Sequence, residues 1–347
     1  MNLFDYTRPS SVAEAIGAWQ PSAAYLGGGT NLVDLMKTGT IRPSALIDIK
    51  RVPGLDRIEN LPGGGVRIGA LVKNADLAHQ PDFARSFPLA AEALLAGASA
   101  QIRNAATVGG NLMQRTRCAY FLDEHSPCNR RNPNSGCAAK GGENASLAVL
   151  GWSEACIATN PSDFAVALAA LDAVVETQGA NGRRAIPVAQ FYCLPGDTPE
   201  KETMIEPGEL IIAVTIPAEA AVFRHNARYL KIRERTSFAF ALVSAAAAMH
   251  IERGRIASVR LALGAVAASP WRSLAAEAVM TGQPPGPELF ARAAALLLEG
   301  AKPSGDNGYK IELARRTAIR ALSMAAAGTP ARIAALPASP FEETIHA

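Results

Sequence analysis

Four of the chain's five cysteines, Cys118, Cys128, Cys137 and Cys156, fall in one segment, and that segment opens with a loop of small residues, Arg103-Asn104-Ala105-Ala106-Thr107-Val108-Gly109-Gly110-Asn111. Two kinds of chemistry meet there. Paired glycines let backbone N–H groups close on a phosphate, because no Cβ intervenes and positive φ costs little. Gathered thiolates bind a soft metal centre, and four of them suffice for a four-iron cubane. The gaps of nine, eight and eighteen residues contain no Cys-x-x-Cys pair, so neither a zinc ribbon nor a two-cluster ferredoxin pattern is matched. The same window holds Pro127, Pro133, Gly136, Gly141 and Gly142 and offers little apolar surface with which to order itself. A metal centre, a cluster or zinc, would supply the cross-links. Two disulfides or incidentally clustered thiols are the alternative. Cys193 stands apart, between Tyr192 and Leu194, and reads as a thiol without a ligand role.

A second glycine loop, Gly27-Gly28-Gly29-Thr30-Asn31, lies between an apolar run, Ala23 to Leu26, and an amphipathic run through Leu32, Leu35 and Met36. A strand and a helix there would put free N–H groups at a helix N-terminus, an anion site by geometry and dipole. No Gly-Lys-Ser/Thr follows and no Gly-x-Gly-x-x-Gly is present, so this is neither a Walker loop nor a Rossmann fingerprint. By itself it is no more than a tight strand-to-helix turn. Two Gly-Gly loops that each end in Asn, about eighty residues apart, could clamp one diphosphate from both sides. A dinucleotide cofactor is the natural occupant.

The 347 residues exceed what one core usually organises. Composition is that of a soluble globular protein, 49% hydrophobic and 19% charged with net charge +3, and no Lys/Arg run interleaved with aromatics points to nucleic acid. The longest apolar run, Phe238 to Ile251, is interrupted by Ser244 and His250 and is too short to span a membrane. The N-terminal residues lack a basic and an apolar region, so no export signal is expected on this chain. Five scattered histidines and no His-Glu-x-x-His offer no substrate-oxidising or catalytic site.

The elements that must position these loops can be read in order. Ser11 with Glu14 predicts a capped helix through Trp19. A Gly63-Gly64-Gly65 hairpin turn precedes a strand over Val66–Val72, and helices are predicted from Asn74 and over Pro88–Ala96. Ser162 caps a helix through Leu171, with Asp163 in its first turn. Strands are predicted over Ala173–Thr177 and Leu210–Ile216. After Arg224, strands at Tyr229–Ile232, Phe240–Ile251 and Arg255–Val266 are followed by helices at 272–282, 288–300 and 308–326. That order predicts an α+β C-terminal domain with a three-stranded antiparallel sheet. The expected division is 1–220, with subdomains of about 1–55 and 56–220 and a cysteine loop at 115–157, then 221–330, then a Pro- and Ala-rich tail at 331–347 that frays from Thr329.

Tyr25-Leu26-Gly27-Gly28-Gly29-Thr30-Asn31-Leu32 and Thr107-Val108-Gly109-Gly110-Asn111, with the α+β tail, resemble the FAD-binding subunit of the molybdenum hydroxylases, the medium-subunit family of xanthine dehydrogenase and carbon monoxide dehydrogenase. The resemblance covers residues 1 to about 327. Asn111-Leu112-Met113-Gln114, Arg115-Thr116-Arg117-Cys118 and the run from Ser153 to Asp163 are similar to the flavoprotein subunit of bacterial periplasmic aldehyde oxidoreductases. Most of the family lacks the four cysteines, whereas that subunit and the β-subunit of 4-hydroxybenzoyl-CoA reductase carry a [4Fe–4S] cluster in this loop.

The resemblance implies an α+β fold whose two-subdomain FAD-binding unit is of the PCMH or vanillyl-alcohol-oxidase-like kind. It implies FAD, held by Tyr25, Leu26, Gly27, Gly28, Gly29, Thr30, Asn31, Leu32 and Val33 on one side of the pyrophosphate and by Thr107, Gly109, Gly110 and Asn111 on the other. Asp163 would lie near the ribose and adenine half, Ile211 against the isoalloxazine, and Lys231 near the ring, where a cation would favour reduced flavin. Cys118, Cys128, Cys137 and Cys156 would hold the cluster. The activity implied is electron relay in an aldehyde oxidoreductase, between a large molybdopterin subunit and a small [2Fe–2S] subunit on one side and an external acceptor on the other. A 4-hydroxybenzoyl-CoA reductase or xanthine dehydrogenase type of complex is the alternative within the family, and a non-redox protein with a structural zinc the alternative outside it. The periplasm, reached with a signal-bearing partner, is the implied compartment, with the cytoplasm as alternative.

Overall fold

Three short strands, β1 (Asp5–Thr7), β2 (Ala23–Leu26) and β3 (Ala45–Asp48), pair in parallel in the order β1-β3-β2. Parallel neighbours need crossovers, and α1 (Val12–Gly17) and α2 (Leu32–Lys37) supply them. The computed structural model describes residues 1–331. Ser11 caps α1 as its sequence predicts, accepting from Glu14 N at 3.1 Å, but the Glu14 carboxylate reaches back to Ser10 N at 2.7 Å, one residue earlier than a capping box requires.

A second, antiparallel sheet is built from β4 (Ile58–Asn60), β5 (Val66–Gly69), β6 (Val174–Gly179), β7 (Gly182–Pro187) and β8 (Leu210–Ile216), in the order β4-β5-β8-β6-β7. The turn through Gly63, at φ 82, joins β4 to β5 as a hairpin. Between β5 and β6 the chain makes α3 (Asn74–His79), α4 (Pro81–Ser86), α5 (Pro88–Ala96), α6 (Ala100–Ala105), α7 (Val108–Leu112), α8 (Ala119–Leu122) and α9 (Asp163–Ala170), and α10 (Val188–Phe191) follows β7. Every residue of α5 and of α9 is buried, as their almost wholly apolar sequences require, and the one carboxylate in each, Glu92 and Asp163, is paired with Arg228 and Lys231.

The third sheet contains β9 (Ala227–Ile232), β10 (Val243–Glu252), β11 (Arg255–Gly264) and β12 (Trp271–Arg272), antiparallel in the order β12-β11-β10-β9. It therefore has four strands, not the three expected. β12 is two residues long, held by pairing Ala262 with Arg272 and Leu263 with Trp271, and carries no period for a sequence to display. With a parallel sheet at the start of the chain, the architecture is mixed α/β and not the segregated α+β expected.

The alanine run of β10 shows why this sheet can be covered on both sides. Ala245, Ala247 and Met249 join one core with α12 (Pro287–Leu297) and α13 (Tyr309–Ala326), whereas Ala246 and Ala248 join the core that contains α5 and α9. Successive residues of a strand face opposite sides, and side chains this small let both layers approach. α11 (Leu274–Ala278) closes the second core through Ala276. Thr329, where fraying was expected to begin, is tied down: its N–H donates to His225 O at 2.7 Å and its hydroxyl accepts from Ala227 N at 3.0 Å. The rest of the expected tail, from residue 332, lies outside the described residues. Among the described residues no helix is long and apolar enough to cross a membrane.

Candidate functional site

The two glycine loops press directly on one another. A Cβ on Gly28 would overlap the Ala105 carbonyl oxygen, one on Gly27 would stand 3.1 Å from Thr107 Oγ1, and one on Gly109 would stand 3.0 Å from Ala70 Cβ. Gly27 and Gly28 are thus required by the contact between the loops, which forms a seam, and Gly109 by the close pass of its loop over Ala70. Gly29, at φ 76, makes the turn into α2. Leu26 and Val33 pack behind it, their methyl groups 3.4 and 3.2 Å from where its Cβ would be, and do not line the cavities described below.

Each loop ends in an asparagine that is braced to one end of the cysteine segment. Asn31 accepts from Arg115 N at 2.9 Å, and Asn111 accepts from Ser162 Oγ at 2.6 Å and from Gln114 Nε2 at 3.1 Å. Thr107 caps α7, accepting from Gly110 N at 3.2 Å.

Cavities open on both sides of the seam and share Thr30, Asn31 and Gly110. The smaller, about 290 Å³, is walled by Tyr25, Leu32, Leu35, Leu71, Leu210 and Ile211 together with Gly27, Gly28, Thr107 and Gly109. The larger, about 850 Å³, is lined by Asn74, Arg103, Asn111, Arg117, Cys118, Asp163 and Phe164, with Phe238 and Phe240 at its mouth. Four of its buried polar atoms, Asn31 Nδ2, Asn74 Oδ1, Arg103 Nε and Arg117 Nε, have no hydrogen-bond partner among the described residues. Leaving such groups unsatisfied costs about 1–3 kcal/mol each, and three of the four are N–H donors, so this cavity suits a polar occupant that presents mainly acceptor atoms. FAD fits: a diphosphate at the glycine seam, with one ring system on each side.

Lys231 and Asp163, expected at different ends of the cofactor, are joined. Lys231 Nζ lies 2.7 Å from Asp163 Oδ2, and also donates to Ala96 O at 3.1 Å at the C-terminus of α5. Tyr229 donates its hydroxyl to Asp163 Oδ1 at 2.8 Å. Burial, and then the charge of Asp163, keep that phenol well above its usual range. Ile211 lies across the seam, in the smaller cavity.

The four cysteines come together. Cys118, Cys128, Cys137 and Cys156 line one small void, with no histidine or carboxylate among its other walls, and all are free thiols. The two-disulfide alternative is not what the chain adopts. Burial pushes Cys118 up to about 11 and raises Cys137 as well. Cys193 is elsewhere, 3.6 Å from Met204 Sδ. The loop is less bare than its composition suggests. Phe121, Ala139, Leu147 and Ile157 pack around the thiols, and Arg131 donates to the carbonyls of Tyr120, Phe121, Glu124 and Ser126. Among the described residues no three His, Cys, Asp or Glu side chains are grouped to hold a single metal ion.

Sequence reasoning did not find Asn74, Arg103, Arg117, Arg130 or Glu202. Arg103 and Arg117 stand in stretches singled out by sequence but were given no role there, and Glu202 meets Arg130 only across 72 residues of chain.

Two glycine loops in contact, with a cavity on each side, have the arrangement a dinucleotide cofactor would require. Residues 2–219 match the FAD binding domain in molybdopterin dehydrogenase, and residues 228–325 match the CO dehydrogenase flavoprotein C-terminal domain. The aldehyde oxidoreductase FAD-binding subunit PaoB of Escherichia coli is 48% identical over 332 residues, 94% of this chain and 99% of that one. A carbon monoxide dehydrogenase structure from Hydrogenophaga pseudoflava that lacks the Mo-pyranopterin moiety superposes with TM-score 0.73 at 28% identity, covering 94% of this chain and 98% of that one. The reconstituted CO dehydrogenase of Oligotropha carboxidovorans gives 0.75 at 25% identity, covering 94% and 99%. The chain belongs to the FAD-binding medium subunits of the molybdenum hydroxylase family and is a component of an oxidoreductase.

Proposed function

We propose that the chain is the FAD- and [4Fe–4S]-carrying electron-transfer subunit of a molybdenum-dependent aldehyde oxidoreductase. One observation carries the reading: Cys118 lines both the larger cavity of the cofactor seam and the void shared by the four cysteines. When bound, FAD exchanges electrons singly or in pairs and a four-iron cluster exchanges them singly, so adjacent sites can feed an external acceptor. The donor set suits a cluster, because four thiols without histidine or carboxylate form the soft site that iron–sulfur centres use.

The isoalloxazine belongs in the larger cavity, beside Cys118 and the Lys231–Asp163 pair, and the adenine in the smaller, apolar one against Ile211. This reverses the halves expected for Ile211 and Asp163 and keeps Lys231 at the ring. The chain's own residues hold the diphosphate at Gly28, Gly29, Gly109 and Gly110, meet polar ring atoms with Asn74, Arg103 and Arg117, and keep water from the thiols.

The identity of 48% with an aldehyde oxidoreductase subunit favours an aldehyde as the complex's substrate. A large molybdopterin subunit and a small [2Fe–2S] subunit are its proposed partners and the periplasm its proposed compartment. The test is anaerobic reduction of the flavin in the purified complex. Aromatic aldehyde should bleach it, and bleaching by xanthine or by a hydroxybenzoyl thioester but not by aldehyde would overturn the assignment.

A further inference from the structure

Arg130 is the most deeply buried cation of the cysteine segment. Its side chain is 5% exposed, and it lines the same void as the four thiols. One nitrogen donates to Glu202 Oε2 at 2.9 Å, whereas Nε and Nη2 have no hydrogen-bond partner among the described residues. Glu202 is gripped from its other side by Arg115, whose guanidinium lies 4.4 Å from the centre of the Phe121 ring and whose backbone N–H holds Asn31 at the seam. Two guanidiniums share one carboxylate, so the trio leaves one net positive charge beside the thiols. A buried cation with idle donors is costly unless something anionic faces it.

We infer that Arg130, held in place by Glu202 and Arg115, is a positioning and tuning residue for the thiolate centre: its idle N–H groups hydrogen-bond the centre and raise its reduction potential. The inference rests on the cluster reading given above. Hydrogen bonds to cluster sulfurs and nearby charge are among the factors that set such potentials. A scaffolding role alone would predict loss of iron without any ordered change in potential.

The experiment is a redox titration of the purified complex, read by electron paramagnetic resonance of the four-iron signal, with total iron and FAD content measured on the same samples. Arg130→Met should shift the cluster to more negative potential, and Arg130→Lys should restore part of the shift. Glu202→Gln, which removes the negative member and leaves the guanidinium, should shift it the other way. Should Arg130→Met lose iron, Glu202→Gln still decides through the sign of its shift. Full iron with the wild-type potential in both variants, or shifts of the same sign, would overturn the tuning role and leave the cluster reading intact. Absence of any four-iron signal in the wild-type complex would overturn both.

Discussion

The Lys231 ammonium lies 2.7 Å from Asp163 Oδ2, with 4% and 8% of the two side chains exposed, and Asp163 in turn lines the larger cofactor cavity. The pair spans 68 residues and ties β9 to the start of α9. Its two charges compensate each other, so neither acts alone on a nearby ring.

That pairing changes what Lys231 does when replaced. Breaking a buried pair from one side costs about 3–5 kcal/mol, because the remaining charge is uncompensated. Lys231→Met and Asp163→Asn should each lower stability by that order in thermal unfolding. Lys231→Met should also make the flavin harder to reduce, and Asp163→Asn should make it easier. Equal flavin midpoints in both variants would place the pair away from the ring.

Gly28 is predicted to tolerate no side chain. Gly28→Ala forces the loop off the Ala105 carbonyl and should weaken FAD retention about tenfold or more, a cost of about 1.4 kcal/mol at the least. Gly17, with nothing within 4 Å of where its Cβ would be, is the control, and Gly17→Ala should keep the wild-type ratio of flavin to protein. Wild-type flavin content in Gly28→Ala, read by absorbance, would remove the loop contact from the account.

Lys310 supplies a pH test. Its side chain is fully buried and its ammonium donates to the carbonyls of Ser146, Leu147 and Ala265 at 2.6, 2.9 and 2.7 Å, while burial pushes it from 10.5 down to about 7. A lysine whose folded value is depressed is penalised in its charged form. Between about pH 7 and 10.5 the unfolded chain therefore binds more protons than the folded one, and stability rises with pH there by up to about 1.4 kcal/mol per unit. Below pH 7 both states are protonated and the contribution is flat. Lys310→Met should remove the slope in chemical denaturation across that window, and an unchanged slope would assign it to other groups.

Much of the fold was legible. Pro88 to Ala96 and Leu210 to Ile216 match the structure residue for residue, because a proline at a helix start and a continuous apolar strand are local signals. β1, β3, β4, β7 and β12 were missed; Asp5–Thr7 and Trp271–Arg272, the shortest signals, are strands only because a neighbour pairs with them. The glycine loops and the gathering of the cysteines were visible in the sequence, yet the reason for Gly28 was not, since Ala105 meets it only in space. Lys231 with Asp163, and Arg130 with Glu202, are long-range pairs for which no spacing rule exists.

Iron and acid-labile sulfide in the purified complex, with the small subunit's [2Fe–2S] content subtracted, test the central claim most directly. The account predicts about four of each per chain. It predicts their loss, with weakened FAD retention, on changing Cys118, Cys128, Cys137 or Cys156 to serine, and no change in Cys193→Ser. Zinc in place of additional iron, or full iron content in Cys128→Ser, would contradict it.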